Sequence, residues 1–227
     1  MVKIDIHVHT NHSDCGFSTV REVISTAKKR GLDGIAITDH NTMSAIKEAK
    51  KLADKEGLLL IPGEEISSTH GHIIALNIKK TIKKGLSPEE TIKRIHRQGG
   101  LAIAAHPYAF IFHHQSLRDK IKDLDLDAIE VFNSANLIEN KKAIQVASEL
   151  GIVQVAGSDA HIPSEIGRSY TIADCDINVK SFLSKIKKGD VLWVGVRTPF
   201  SVGINYKLRR FNSLLTNKKS LNKRKNR

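Results

Sequence analysis

Ile4-Asp5-Ile6-His7-Val8-His9-Thr10-Asn11-His12-Ser13-Asp14 is the stretch from which the rest of the chain is read. In an extended segment, side chains alternate between faces, so His7 and His9 are expected to point one way and Ile4, Ile6 and Val8 the other. Two imidazoles on one face make a poor core but a good clamp for a divalent metal. An isolated His-x-His would equally suit two surface histidines on an edge strand. What favours the clamp is a supply of further histidines and carboxylates at the ends of later strands.

Outward from that strand, Thr19 and Glu22 form a capping box, with Val20, Val23, Ile24 and Ala27 at helical spacing and Gly31 as the stop. Gly34–Thr38 reads as a buried strand running into Asp39-His40. A polar helix to Gly57 precedes the strand Leu58–Ile61, which leads into Pro62-Gly63-Glu64-Glu65. Gly71–Ile78 is a further strand with His72 at its start. Ser87-Pro88-Glu89-Glu90 promises a second capping box. Leu101–Ala105 runs into His106-Pro107, Ala128–Phe132 leads to Asn133, and Ile152–Ala156 leads to Gly157-Ser158-Asp159-Ala160-His161. Helices are expected near Leu137–Leu150 and Val179–Lys188, with a last strand over Val191–Val196. This alternation argues an α/β protein with a parallel sheet covered by helices, and the number of repeats favours a barrel. Asp39, His40, Glu65, His106, Asn133, Asp159 and His161 all fall at or just past a strand's carboxyl end, where barrels gather their active sites. His72 breaks the pattern, because it begins its strand.

Composition narrows the classes. With 227 residues, 40% of them hydrophobic, the chain suits one barrel-sized domain or two small ones. Aromatics are scarce at 5%, so stacking platforms for single-stranded nucleic acid are not well supplied. Two distant cysteines, Cys15 and Cys175, make no disulfide framework and suit a reducing compartment. No apolar signal region or membrane-spanning run is evident, so the expectation is a soluble cytoplasmic protein. Nine Lys or Arg and no acid lie from Lys207 to Arg227, so the preceding 206 residues carry only +3 of the net +12. A basic tail over 207–227, partly disordered, is therefore expected beyond a body of 1–206. It offers a salt-sensitive contact to nucleic acid or is simply a solvated terminus. Ile204, Leu208, Phe211 and Leu215 are spaced for a final helix within that region.

The candidate ligands are His7, His9, Asp14, His40, Glu65, His72, His106, Asp159 and His161. Nine donors exceed the need of one catalytic ion, and carboxylates bridge, so two or three divalent ions are expected. Mixed imidazole and carboxylate suits Zn, Mn or Fe. The absence of cysteine at these strand ends argues against a structural zinc site.

In order, Asp5-x-His7-x-His9-Thr10 with Ser13-Asp14, Thr38-Asp39-His40, Pro62-Gly63-x-Glu65, Gly71-His72, His106-Pro107 and Gly157-Ser158-Asp159-Ala160-His161 resemble the polymerase and histidinol phosphatase (PHP) family, over about residues 1 to 170. The resemblance implies a distorted TIM-like barrel of seven βα units that hydrolyses phosphate esters with up to three metals. It implies one ion held by His7, His9, Glu65 and Asp159, a second by Glu65, His72 and His106, and a third by Asp14, His40 and His161. Some members carry histidine where Asp14 stands. Glu64 is the x position and is expected to face away. Asp5 and Asp39 are expected to orient the histidines from behind. A metal-activated hydroxide would attack phosphorus, with Arg168 as the candidate cation for the phosphoryl oxygens and His40 or a metal-bound water protonating the leaving group. Glu130 and Asn133 are candidates for substrate contact. His12, His70, His96, His113 and His114 receive no role, His96 being expected on a solvated helix face. The implied substrate is a small phosphomonoester such as a nucleotide. Alternatives are an exonuclease acting on nucleic acid, a histidinol-phosphate phosphatase, and a non-catalytic RNA-binding subunit like the ribonuclease P protein, whose barrel is similar but whose metal motifs would be eroded. Oligomeric state has no signature here.

Overall fold

A computed structural model describes residues 1–109, 115–135, 140–204 and 206. The chain divides into two units, Met1–Arg197 and Thr198–Arg227. In the second unit, residues 200–204 are helical. The rest of the expected tail helix, the basic tail itself, and His113 and His114 lie outside the described residues. No helix among the described residues is long and apolar enough to cross a membrane.

In the first unit the elements follow as β1 (Val2–Val8), α1 (Val20–Lys29), β2 (Gly34–Ile37), α2 (Ile46–Glu56), β3 (Leu59–Ser68), β4 (Gly71–Leu76), α3 (Pro88–Arg97), β5 (Leu101–Ala104), β6 (Ala128–Asn133), α4 (Asn140–Leu150), β7 (Gln154–Gly157), β8 (Ser169–Ala173), α5 (Val179–Lys188) and β9 (Val191–Gly195). The helix signals act as read at α1, where Thr19 and Glu22 complete the capping box. At α3 only one arm forms. Ser87 accepts from the Glu90 N–H, while the Glu90 carboxylate is taken by Arg94 at 2.6 Å. Gly57 closes α2 in the left-handed conformation that a Cβ would strain.

The strands form one mixed sheet in the order β7-β6-β5-β4-β3-β2-β1-β8-β9. It nearly closes, because Asp159 N–H donates to His7 O at 2.8 Å and His9 N–H to Ala160 O at 2.9 Å, stitching the end of β7 to β1. The expected succession of seven βα units is corrected in two places. β4 runs antiparallel to both β3 and β5, with no helix before it, and β8 and β9 add two antiparallel strands beside β1. β8 was not foreseen. Its Ser169-Tyr170-Thr171-Ile172-Ala173 is short and half polar, and Thr171 faces the barrel to exchange hydrogen bonds with Ala156 N and O.

Three apolar clusters follow from the alternation. One gathers Ile4, Ile6, Ile61, Ile74, Ile103 and Val155 from five strands and is stoppered by Phe182 and Ile186 of α5. The other two lie between the sheet and its helices, one against α1 and α2, the other against α3 and α4. Val8 packs with the α1 layer, whereas Ile4 and Ile6 lie in the inner cluster. The expected common face for Ile4, Ile6 and Val8 therefore does not hold. Between Asp5 and Val8 the register against β2 slips by one residue, a bulge that reverses which side faces in. Ile4 and Ile6 fill the inner core, and past the bulge His7 and His9 turn toward the same interior, at its polar end.

Candidate metal centre

Glu65 is the hub. Its Oε1 lies 2.8 Å from His72 Nδ1 and 2.9 Å from His106 Nε2. Its Oε2 lies 3.0 Å from His40 Nδ1, 3.2 Å from His9 Nε2 and 3.3 Å from His7 Nε2. Asp159 Oδ1 approaches His9 Nε2 at 3.2 Å and His7 Nε2 at 3.4 Å, and those two nitrogens are 3.1 Å apart. His7, His9 and Glu65 are fully buried.

The antiparallel course of β4 explains His72. In that strand the amino end lies where its parallel neighbours have their carboxyl ends, so His72, paired with Ser67, reaches Glu65 from the same side as the rest. His106 and Asp159 hold positive φ, 29° and 55°, a conformation uncommon for non-glycine residues. Gly157 has a tighter role, since a Cβ there would meet His7 Cβ at 2.5 Å and Glu130 Oε1 at 2.9 Å.

The hydrogen bonds behind the histidines fix their tautomers. His7 Nδ1–H donates to Glu130 Oε1 at 2.8 Å, leaving Nε2 with its lone pair toward the centre. Ser13 Oγ donates to Asp39 Oδ1 at 2.8 Å, so it accepts from the His40 N–H and from His9 Nδ1–H. His161 Nδ1–H is held by Asp159 O at 2.8 Å. Asn133 donates to Glu130 Oε2 and to Asp159 Oδ2, keeping Oδ1 for the centre. Glu130 and Asn133 thus orient the buried cluster from behind, and a second bulge, between Glu130 and Phe132, lets both reach inward. Sequence reading placed them against substrate; their composition held no signal of the partner each finds. Asp39 acts on His9 through Ser13, as expected in kind. Asp5 instead ties β1 to the loop after β7, accepting from Ser158 N–H and Oγ and from Gly167 N–H.

The electrostatics follow from burial and neighbours. Burial works against charge on Glu65 and Asp159, yet the surrounding imidazoles hold both carboxyls well below their usual range. Burial likewise opposes charge on His9, but the adjoining Asp159 and Glu65 carboxylates raise it to about 9. Burial prevails at His40 and His161, lowered to about 3 and about 4. Glu64 faces away as expected, accepting from Ile82 N–H at 3.0 Å, and burial pushes it up to about 7.

Among the described residues, three groups bring donor atoms within 4.8 Å of one another, namely His7, His9, Glu65 and Asp159; His40, Glu65 and His72; and His9, Cys15, His40 and His161. The first has the shape of a metal site. A tetrahedral ion with bonds of about 2.0–2.1 Å needs its ligand atoms about 3.3–3.4 Å apart. The five contacts measured among these four residues run from 3.1 to 3.4 Å. Glu65 Oε2 and His106 Nδ1 are moreover buried without a hydrogen-bond partner, as groups awaiting another ligand would be. Asp14 is exposed and in none of the three groups. Arg168 Nε donates to Ser164 O, a carbonyl also bound by Arg30, so it braces the 161–168 loop against α1. His96 is half-buried on Asp127 at 2.8 Å, not on a solvated face. His12 bonds Ser44 and His70 bonds Thr69, both away from the centre.

A family model described as PHP-associated matches residues 138–191. An uncharacterized protein of Methanocaldococcus jannaschii is 43% identical over 162 residues, 66% of this chain and 94% of that protein. A 5'-3' exoribonuclease of Haemophilus influenzae is 37% identical over 86 residues, 36% of this chain and 31% of that enzyme. A 3',5'-nucleoside bisphosphate phosphatase of Chromobacterium violaceum is 37% identical over 82 residues, 34% of this chain and 28% of that enzyme. A solved two-domain protein from Bacteroides vulgatus, containing a predicted PHP-like metal-dependent phosphoesterase, superposes with a TM-score of 0.71 at 19% identity, over 86% of this chain and 64% of that one. At that identity the likeness is one of fold, and it adds to a sequence match spanning nearly the whole archaeal relative. The chain belongs to the PHP family of metal-dependent phosphoesterases and is a hydrolase.

Proposed function

We propose that the protein hydrolyses a small phosphomonoester of the nucleotide kind, with ions held by His7, His9, Glu65 and Asp159 and, across Glu65, by His72 and His106. The observation that carries this reading is the hub geometry of Glu65, whose two oxygens face separate sets of imidazoles. Bound there, divalent ions supply charge for the phosphoryl oxygens and acidify a water toward neutrality. The chain's own contribution is orientation. Glu130, Ser13 and Asn133 lock His7, His9 and Asp159 with their lone pairs inward, so little reorganisation accompanies the reaction. His40, held neutral by burial at neutral pH, suits a metal ligand and is a poor proton donor to the leaving group. The nucleoside bisphosphate phosphatase among the relatives supports the substrate class.

A polynucleotide is the second reading. It is favoured by a groove lined by Lys79, Lys80, Lys83, Arg94 and Arg97, and by the exoribonuclease among the relatives. One experiment separates the two. Protein purified without added metal is analysed for metal content, then assayed against mononucleotides, nucleoside bisphosphates, histidinol phosphate and short oligonucleotides. Bound metal with turnover of the mononucleotides or bisphosphates is expected. Preference for oligonucleotides, with affinity falling steeply in salt, selects the second reading. Absence of metal and turnover after Mn or Zn addition overturns both.

A further inference from the structure

The loop after β1 carries a donor that the motifs did not point to. Gly16 allows this loop to fold back on itself, since a Cβ there would lie 1.9 Å from Thr10 O. Gly16 N–H donates to Ser13 O, and Phe17 N–H donates to His161 O at 2.9 Å. That turn leaves Asp14 outside and draws Cys15 in, to 6% exposure. Buried cysteines are ordinarily small core side chains in apolar surroundings. Cys15 belongs to none of the three apolar clusters. Its Sγ lies instead within 4.8 Å of ring nitrogens of His9, His40 and His161, which are as close to one another. The His9 ring stands 4.4 Å from His161 and 4.6 Å from His40, so three imidazoles and a sulfur surround one point. Glu65 Oε2, buried and without a hydrogen-bond partner, lies 3.0 Å from the His40 ring at the edge of this group.

We infer that Cys15, with His40 and His161, holds a further ion as a thiolate, in the place where the motif pattern puts Asp14, and that this position selects zinc. The inference rests on the metal-centre reading above and adds a ligand of a different chemical kind. Thiolate is a soft ligand and imidazole suits zinc, whereas manganese and magnesium favour oxygen. Coordination releases the thiol proton to solvent, so uptake at this position is accompanied by proton release. His161 is prepared for the role, its Nδ1–H being held by Asp159 O so that Nε2 offers a lone pair.

The test uses the full chain, stripped by chelator and titrated with Co²⁺, a spectroscopic substitute for zinc. Wild type and Cys175→Ser are expected to develop a sulfur-to-cobalt charge-transfer band in the near ultraviolet, which zinc abolishes by displacement and manganese does not. Cys15→Ser is expected to lack the band and to bind one fewer ion per chain. Cys15→Ala guards against a variant that tolerates the hydroxyl poorly and is expected to give the same two results. Cobalt uptake by wild type without the band, or a band of equal intensity in both Cys15 variants, overturns the thiolate ligand and leaves the Glu65 centre standing. His7→Ala is expected to lose an ion and keep the band. No uptake of cobalt or zinc by wild type overturns this inference and the metal-centre reading together.

Discussion

Glu64 and Glu65 are neighbours with opposite fates, and Glu64→Gln turns that into a measurement. Glu64 is fully buried, with Oε2 accepting from Ile82 N–H at 3.0 Å and Oε1 lacking a hydrogen-bond partner. The hydrogen bond from Ile82 only partly offsets its desolvation, so burial raises it from 4.5 to about 7. Its folded-state pKa lies above its unfolded value. The protonated form is therefore favoured by folding, and this contribution is fully present below pH 4.5 and lost as pH rises through 7. A shift from 4.5 to about 7 corresponds to about 3 kcal/mol, of which about 2 kcal/mol falls between pH 5.5 and 8. Glutamine keeps the volume and the oxygen that serves Ile82, and it removes the titration. Its buried amide NH₂ brings a cost of about 1–3 kcal/mol that does not vary with pH. Urea unfolding of both proteins at saturating metal from about pH 5.5 to 8 cancels the shared metal centre and that constant cost. Stability of Glu64→Gln relative to wild type should rise by about 2 kcal/mol across that range. Parallel curves would refute the reasoning, showing that Glu64 stays ionised at no cost.

Other substitutions test the shell and the stopper. Gly157→Ala pushes a methyl against His7 and the Glu130 carboxylate, so metal affinity by titration should fall about ten- to hundredfold with the far-ultraviolet spectrum unchanged; unchanged affinity would mean that β7 shifts to absorb the methyl. Glu130→Gln keeps an acceptor for His7 Nδ1–H but removes the charge, and a loss of similar size is expected in metal affinity, with wild-type affinity counting against an orienting role. Phe182→Ala empties the stopper of the inner cluster and should cost about 3–5 kcal/mol in urea unfolding, while an effect below about 1 kcal/mol would show that α5 does not close that core.

Which residues gather at the candidate centre was largely legible in the chain. His7, His9, Glu65, His72, His106 and Asp159 converge as the motifs led one to expect, because histidines and acids at strand ends have few structural uses and periodicity marks those ends. Helix starts were legible for the same local reason, as at Thr19. What the sequence could not decide is what depends on partners distant along the chain. The direction of β4, which carries His72 to the common end, is set by hydrogen bonds to β3 and β5. The bulges in β1 and β6 turn His7 inward and let Glu130 and Asn133 share a side, and a bulge is a mismatch between two strands that neither strand shows alone. Asp14 and Cys15 are adjacent in sequence, and only the close pass of Gly16 under Thr10 determines which of them faces the histidines. Composition and spacing fix which side chains are available near the barrel's carboxyl end; non-local backbone pairing decides which of them meet.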